Sequence, residues 1–255
     1  HREKFLLLIS DSARYMVSSG KVLVNLYPKM FHITCIAHLL HNAALKIRSK
    51  YESVDNLISS VKAATVKNKE RKAMFLKIGT PPQPVLTRWG SWLTAAIYYA
   101  EKLHDVKEIF STWSDEGELV RRAKLACQNP CLVRDLVEIC SNYKSILGLI
   151  SKIESTDFTI KMVEEHVLNI NLDSDPCNIR EYLTDRLEKN QIMEILKFKR
   201  SNISPEEYAM LMKCQATSCA VERSFSILNK MWTDYRNFDS KNIKHYLILY
   251  FNKDI

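Results

Sequence analysis

The apolar positions of this chain change rhythm near residue 36. Before it they come in short continuous runs. Phe5-Leu6-Leu7-Leu8-Ile9, closed by Ser10-Asp11, predicts a strand over 4–9 buried on both faces, as in parallel sheets. Residues 13–27 carry Tyr15, Met16, Val22, Leu23 and Leu26 at helical spacing, and Pro28 ends the segment. Phe31-His32-Ile33-Thr34-Cys35-Ile36 predicts a second strand. Strand, helix and strand in about thirty residues make a βαβ unit with parallel strands and a right-handed crossover.

From Ala37 onward the period is helical. Leu39, Leu40, Ala43, Ala44 and Ile47 form one face. A helix over 54–78 follows, with Leu57, Ile58, Val61 and Ala64 inside. Its second half is basic: Lys62, Lys67, Lys69, Arg71, Lys72 and Lys77 against Glu70. Thr80-Pro81-Pro82-Gln83-Pro84 is a stiff loop, and a helix then runs to about Ser111. Between 114 and 200 further helices are expected. The clearest spans 132–153, with Leu132, Leu136, Ile139, Tyr143, Ile146, Leu147 and Ile150 on one side. Residues 171–176 form a turn. Ser204-Pro205-Glu206-Glu207 starts another helix with a Ser cap, an early Pro and acids near the positive end. Two last helices cover 220–233 and 240–251.

Composition narrows the class. The 255 residues include 5 Gly and 7 Pro, too little punctuation for an all-β chain. No apolar run approaches the roughly 20 residues of a membrane helix, so no membrane role is expected. Seven scattered cysteines argue for a reducing compartment rather than a disulfide framework. Lys plus Arg number 37 and Asp plus Glu 29, a net charge of +8 that suits a polyanionic partner such as DNA. The first residue is His1, and two strands alone make a poor sheet. Further strands are therefore expected upstream.

Several residues have a chemical and a structural reading. Cys35, His38 and His41 are metal-ligand types, but zinc needs about four ligands and no second pair follows at finger spacing. Cys35 then reads as a small buried residue. Asp11 ends a strand on the edge where open α/β sheets bind ligands, and a carboxylate there suits Mg²⁺. Equally, Asp11 or Ser12 caps the next helix. Glu222 lies in the first turns of a helix that Ser218 can cap, a favourable place for any acid. Trp89 and Trp92 are three apart, which suits core packing. An exposed Trp would instead stack on an unpaired base.

Four blocks follow in order: Ser10-Asp11-Ser12-Ala13-Arg14-Tyr15-Met16, Cys35-Ile36-Ala37-His38-Leu39-Leu40-His41-Asn42, Leu86-Thr87-Arg88-Trp89 and Ala220-Val221-Glu222-Arg223-Ser224-Phe225-Ser226. Together they resemble the hAT superfamily of DNA transposases. The resemblance spans nearly the whole chain, and its end, from about Thr217 to Asn252, resembles the hAT dimerisation region.

The resemblance implies a mostly α fold with a small parallel β remnant. This is a partial RNase H-like α/β core interrupted by an all-helical insertion. The expected divisions are a partial core over 1–92, the insertion over 93–203, and a dimerisation region over 204–255 that carries the late core helix. The family cuts DNA with two Asp and one Glu that hold two Mg²⁺ or Mn²⁺ ions. Asp11 matches the second aspartate and Glu222 the glutamate. Cys35 and His38 match the Cys-x2-His motif, and Arg88 and Trp89 the DNA-contacting pair. Phe225, Leu228, Ile243, Leu247 and Tyr250 are the expected dimer contacts.

No residue upstream of Asp11 fills the first aspartate's place. The expectation is therefore a catalytically inactive, transposase-derived chain that needs no cofactor and forms a homodimer or higher oligomer in the nucleus. The alternatives are part of a complete DNA-cutting transposase, or an adopted nuclear DNA-binding protein.

Overall fold

The Lys4–Ile9 run divides on folding. Arg2–Lys4 turn as a 3-10 helix, and the strand β1 is Leu7–Ser10. It pairs in parallel with β2 (Phe31–Thr34), Leu7 opposite Phe31 and Ser10 opposite Thr34. The βαβ reading holds, with α1 at Arg14–Leu26 between the strands. The computed structural model describes residues 2–85, 90–113, 117–155, 157–172 and 174–234. Among these the protein is mostly helical, with this one two-stranded sheet.

The burial expected of β1 is not reached. Leu7, Leu8 and Ile9 are half-buried, because one strand and one helix cover them incompletely. For the same reason Tyr15, Val22 and Leu26 of α1 stay exposed, and its one fully covered residue is Gly20. Strand β2 is buried, and side chains satisfy its outer edge. The His32 N–H donates to Gln191 Oε1 at 2.7 Å, and Asn190 Nδ2 donates to the Thr34 carbonyl at 3.1 Å. Arg200 Nη1 donates to the Met30 carbonyl at 2.8 Å. An edge closed in this way offers little to a further strand.

The helices α2 (Ile36–Lys50) and α3 (Glu52–Thr65) bury every residue that their periodicity assigned inward. The helix expected over 54–78 is interrupted. Asn68 starts a separate short helix, α4 (Lys69–Met74), by accepting the Arg71 N–H on its side chain. An Asn placed to serve a backbone donor outcompetes continuation of the helix. The proline loop then leads to α5 (Ser91–Ser111), α6 (Glu118–Cys127) and α7 (Leu132–Ser155).

Helix α7 buries Leu132, Leu136, Ile139, Tyr143, Ile146 and Ile150 against α5, α2 and α3, with Leu147 partly covered. Each such side chain contributes about 1.5–3 kcal/mol of transfer free energy. Helix α8 (Ile160–Val163) runs into a π-helical turn at Glu164–Leu168. Then come α9 (Ile179–Glu188), α10 (Ile192–Leu196) and α11 (Pro205–Lys213). Helix α11 starts with the expected Ser204–Glu207 capping box. The last described helix is α12 (Cys219–Asp234). One continuous apolar cluster runs from Phe31 to Cys219. No helix among the described residues is long and apolar enough to cross a membrane.

Helix α1 is tied to the sheet through one ring. The Ser10 hydroxyl donates to the Asp11 carbonyl at 2.8 Å, so at its 2.8 Å contact with His32 Nε2 it accepts. That accounting puts the ring proton on Nε2 and turns bare Nδ1 toward Gly20. A Cβ at Gly20 would lie 2.0 Å from Nδ1. Gly→Ala in an ordinary helix gains about 1 kcal/mol. Here Gly20→Ala is expected to destabilise by about 2 kcal/mol or more, read as a lower urea midpoint at unchanged slope.

Candidate functional site

The end of β1, the turn between β2 and α2, and the start of α12 meet in one place. Cys35 closes β2 and precedes the first turn of α2, where its N–H donates to the Ser10 carbonyl at 2.7 Å. His38 follows one helical turn later. From the far end of the chain, the Ser218 N–H donates to Cys35 Sγ at 3.2 Å. The Ser218 hydroxyl lies 3.2 Å from the same sulfur and 2.6 Å from Glu222 Oε1. It has a single proton, and the charged carboxylate takes it. Glu222 Oε1 is also 3.9 Å from His38 Nδ1.

Electrostatics joins the same groups. A hydrogen bond between the His38 ring and Cys35 raises the His38 pKa. It outweighs burial and is helped by the charges of Cys35, Glu222 and Asp11. Burial pushes the Cys35 thiol up, but hydrogen bonds with His38 and Ser218 prevail and leave it below the ordinary thiol value. The two shifts run toward each other, each group favouring the charged form of its neighbour. Burial lowers His32, and burial together with the His38 charge lowers His41.

The residues expected from the sequence fall into three groups. Asp11, Cys35, His38 and Glu222 share one neighbourhood. Asp11 does not cap α1 as an N-cap residue, and neither does Ser12: that position belongs to Ala13, which has no side-chain cap. Asp11 Oδ1 instead accepts the Ala13 N–H at 3.0 Å and fixes the turn leaving β1. Phe225 and Leu228 lie on α12, whose first turn carries Glu222. Arg88, Trp89, Ile243, Leu247 and Tyr250 lie outside the described residues. Trp92 is buried and donates Nε1–H to Asp55 Oδ1 at 2.8 Å, the core role its spacing suggested.

Of the basic residues over 62–77, two are used internally. Lys62 Nζ donates to the Pro84 carbonyl, while Arg71 donates to the Ala64 carbonyl and stacks over Trp113. Lys67, Lys69, Lys72 and Lys77 remain exposed. Ser218 was legible only as a helix cap, since nothing local announces a contact with a residue 183 positions away.

No three His, Cys, Asp or Glu side chains among the described residues converge to hold a metal ion. Glu222 Oε1 is held by Ser218 and Asp11 Oδ1 by Ala13, so the donors present do not fit the three-carboxylate set. Comparison with protein-family models, with curated proteins and with solved structures gave no match to this chain.

The pKa directions have opposite consequences. A raised histidine stabilises the fold below the unfolded value near 6.5, and that contribution fades as pH rises through its folded pKa. A lowered histidine stabilises above 6.5, and that contribution fades as pH falls through its folded pKa. NMR titration is therefore expected to place the His38 midpoint above 6.5 and those of His32 and His41 below it. Glu222→Gln should lower the His38 midpoint, and an unchanged midpoint would remove Glu222 from the site.

Proposed function

We propose that this chain derives from a hAT-type transposase, with a partial RNase H-like core, and that its working activity is self-association through α12. One observation carries the self-association. Val221, Phe225 and Leu228 are spaced i, i+4 and i+7, so they form one stripe on α12. Val221 is 55% exposed and Phe225 60%, with Leu228 half-buried. The Glu222 carboxylate, about 100° around the helix from Val221, reaches toward the core motif instead. An apolar stripe bared beside an anchored face suits a second copy of the same helix. Ile243, Leu247 and Tyr250 extend this interface in the same reading.

The transposase ancestry is supported by the meeting of Asp11, Cys35-x2-His38 and Glu222, three blocks far apart in sequence. Asp11 and Glu222 supply two carboxylates where the family's cutting chemistry takes three. These two residues are therefore read as members of a cutting site that takes Mg²⁺ or Mn²⁺ in that family, a site they do not make up by themselves.

A second reading, DNA binding in the nucleus, is favoured by the four exposed lysines over 67–77. Under it, duplex affinity falls linearly on a log–log salt plot, by about 0.9 in slope per phosphate neutralised. Replacing Lys67, Lys69 and Lys72 by Ala should flatten that slope, and a salt-independent affinity would exclude the reading.

Sedimentation equilibrium at tens of micromolar tests the first reading. The chain is expected to be a dimer or larger, and Phe225→Glu a monomer with unchanged helical content. A monomeric parent chain, or a Phe225→Glu variant that still associates, would overturn self-association through α12.

A further inference from the structure

Helices α5, α6 and α7 leave a cleft where two of them end and the third begins. Its volume is about 560 Å³, within the range of small-molecule sites. Phe110 at the end of α5 and Cys127 at the end of α6 line it and are buried, at 3% and 5% exposure. Pro130 and Val133 line it from the side of α7. The turn between α6 and α7 serves its own backbone. The Gln128 N–H donates to the Leu125 carbonyl and the Asn129 N–H to the Ala126 carbonyl. Asn129 Oδ1 accepts the Cys131 N–H at 2.9 Å, and Pro130 has no N–H to satisfy. The cleft therefore keeps an apolar wall.

The charged side chains along the cleft have one sign. Lys107 of α5 is exposed, and Lys124 of α6 is half-buried. Lys124 Nζ donates to the Trp113 carbonyl at 2.8 Å, which leaves two of its three protons. Its place in the last turn of α6 also suits the helix dipole, but Lys107 lies outside the last turn of α5 and has no such reason. Among the described residues no carboxylate lines the cleft. The apolar surface continues past it: Val133 is 53% exposed, and Val137, one turn along the same face of α7, is 59% exposed. Two ammonium groups beside an apolar track match an anionic head on an aliphatic chain. We propose that this cleft binds an aliphatic carboxylic acid, its carboxylate between Lys107 and Lys124 and its chain along Pro130 and Val133.

The two cations come from different helices, so a head held by both needs two acceptor oxygens, which a carboxylate has. A hydrogen bond between charged partners is worth about ten-fold in affinity or more. Each methylene that stays in the cleft adds roughly four-fold. Charge thus selects the head, and the wall selects the chain. This inference is independent of self-association through α12.

Isothermal titration of the full chain with decanoate at neutral pH tests the site. One-to-one saturation is expected, with octanoate bound roughly ten-fold more weakly because two methylenes are lost. Decyltrimethylammonium, with the same chain and a cationic head, should not saturate. Lys107→Glu should weaken decanoate about ten-fold or more, and Val133→Asp should abolish saturation. Both positions are exposed, so neither change should move the urea midpoint. Phe225→Glu should leave the affinity unchanged, which keeps the cleft apart from the apolar stripe of α12. Absence of saturable binding, or equal affinity for decyltrimethylammonium, would overturn the proposal. So would Lys107→Glu and Val133→Asp chains that bind decanoate as the parent does, or loss of binding in Phe225→Glu.

Discussion

The fold depends on how residues 214–218 are held. This short segment joins α11 to α12 and is hydrogen-bonded on two sides. On one side, the Ile160 N–H donates to the Cys214 carbonyl at 2.9 Å, and the Ala216 N–H donates to the Phe158 carbonyl at 2.8 Å. On the other side, the Ala216 carbonyl accepts the Ile36 N–H at 3.1 Å, and the Ser218 N–H reaches Cys35. Ala216 and Thr217 are buried. A buried backbone group without a partner costs about 1–3 kcal/mol, so each of these bonds is required where it stands. The segment thereby splints the start of α8, the start of α2 and the first turn of α12 together.

The candidate site follows from that splint. Neither Cys35 nor Glu222 is unusual by itself. Cys35 is a buried residue at the start of a helix, and Glu222 is an acid in a favourable first turn. Held by residues 214–218, α12 brings Ser218 between them, and the bridge from sulfur to hydroxyl to carboxylate closes. The His38 imidazole then has a thiol on one side and a carboxylate on the other. The same placement turns Val221 and Phe225 away from the core, so one helix carries both an anchored acid and a bare apolar stripe. Burial pushes both the Cys35 and the Cys219 thiols up, but hydrogen bonds with His38 and Ser218 bring Cys35 below the ordinary value while Cys219 stays raised.

Much of the scaffold was legible because its signals are local. The inward residues of α2, α3 and α7 repeat at helical spacing, and Ser204 with Glu207 announces the start of α11. The parallel pairing of β1 and β2 follows from strand, helix and strand in a short span. The errors also have physical causes. Asn68 ends one helix and starts another through its side chain, and apolar periodicity does not record that competition. The run at Leu7–Ile9 looks fully buried because its composition is set by the strand, whereas its burial depends on what covers it. A cap by Asp11 or Ser12 was one of the readings open at this turn, but the choice between a cap and a turn rests on backbone angles around Ala13. For the site, the residue types were visible and the motif order suggested their kinship. The Ser218 bridge was not visible, since it exists only across a separation of 183 residues.

The most direct test of this account is native-state hydrogen exchange of the Ile36, Ala216 and Ser218 amides, measured by NMR in the full chain. If residues 214–218 splint α2 to α12, the three amides open together, with one free energy close to that of the α2 core. If Ala216 and Ser218 exchange at unprotected rates while Ile36 stays protected by the core of α2, the splint does not exist. The shared site of Cys35, His38 and Glu222 would then fall with it.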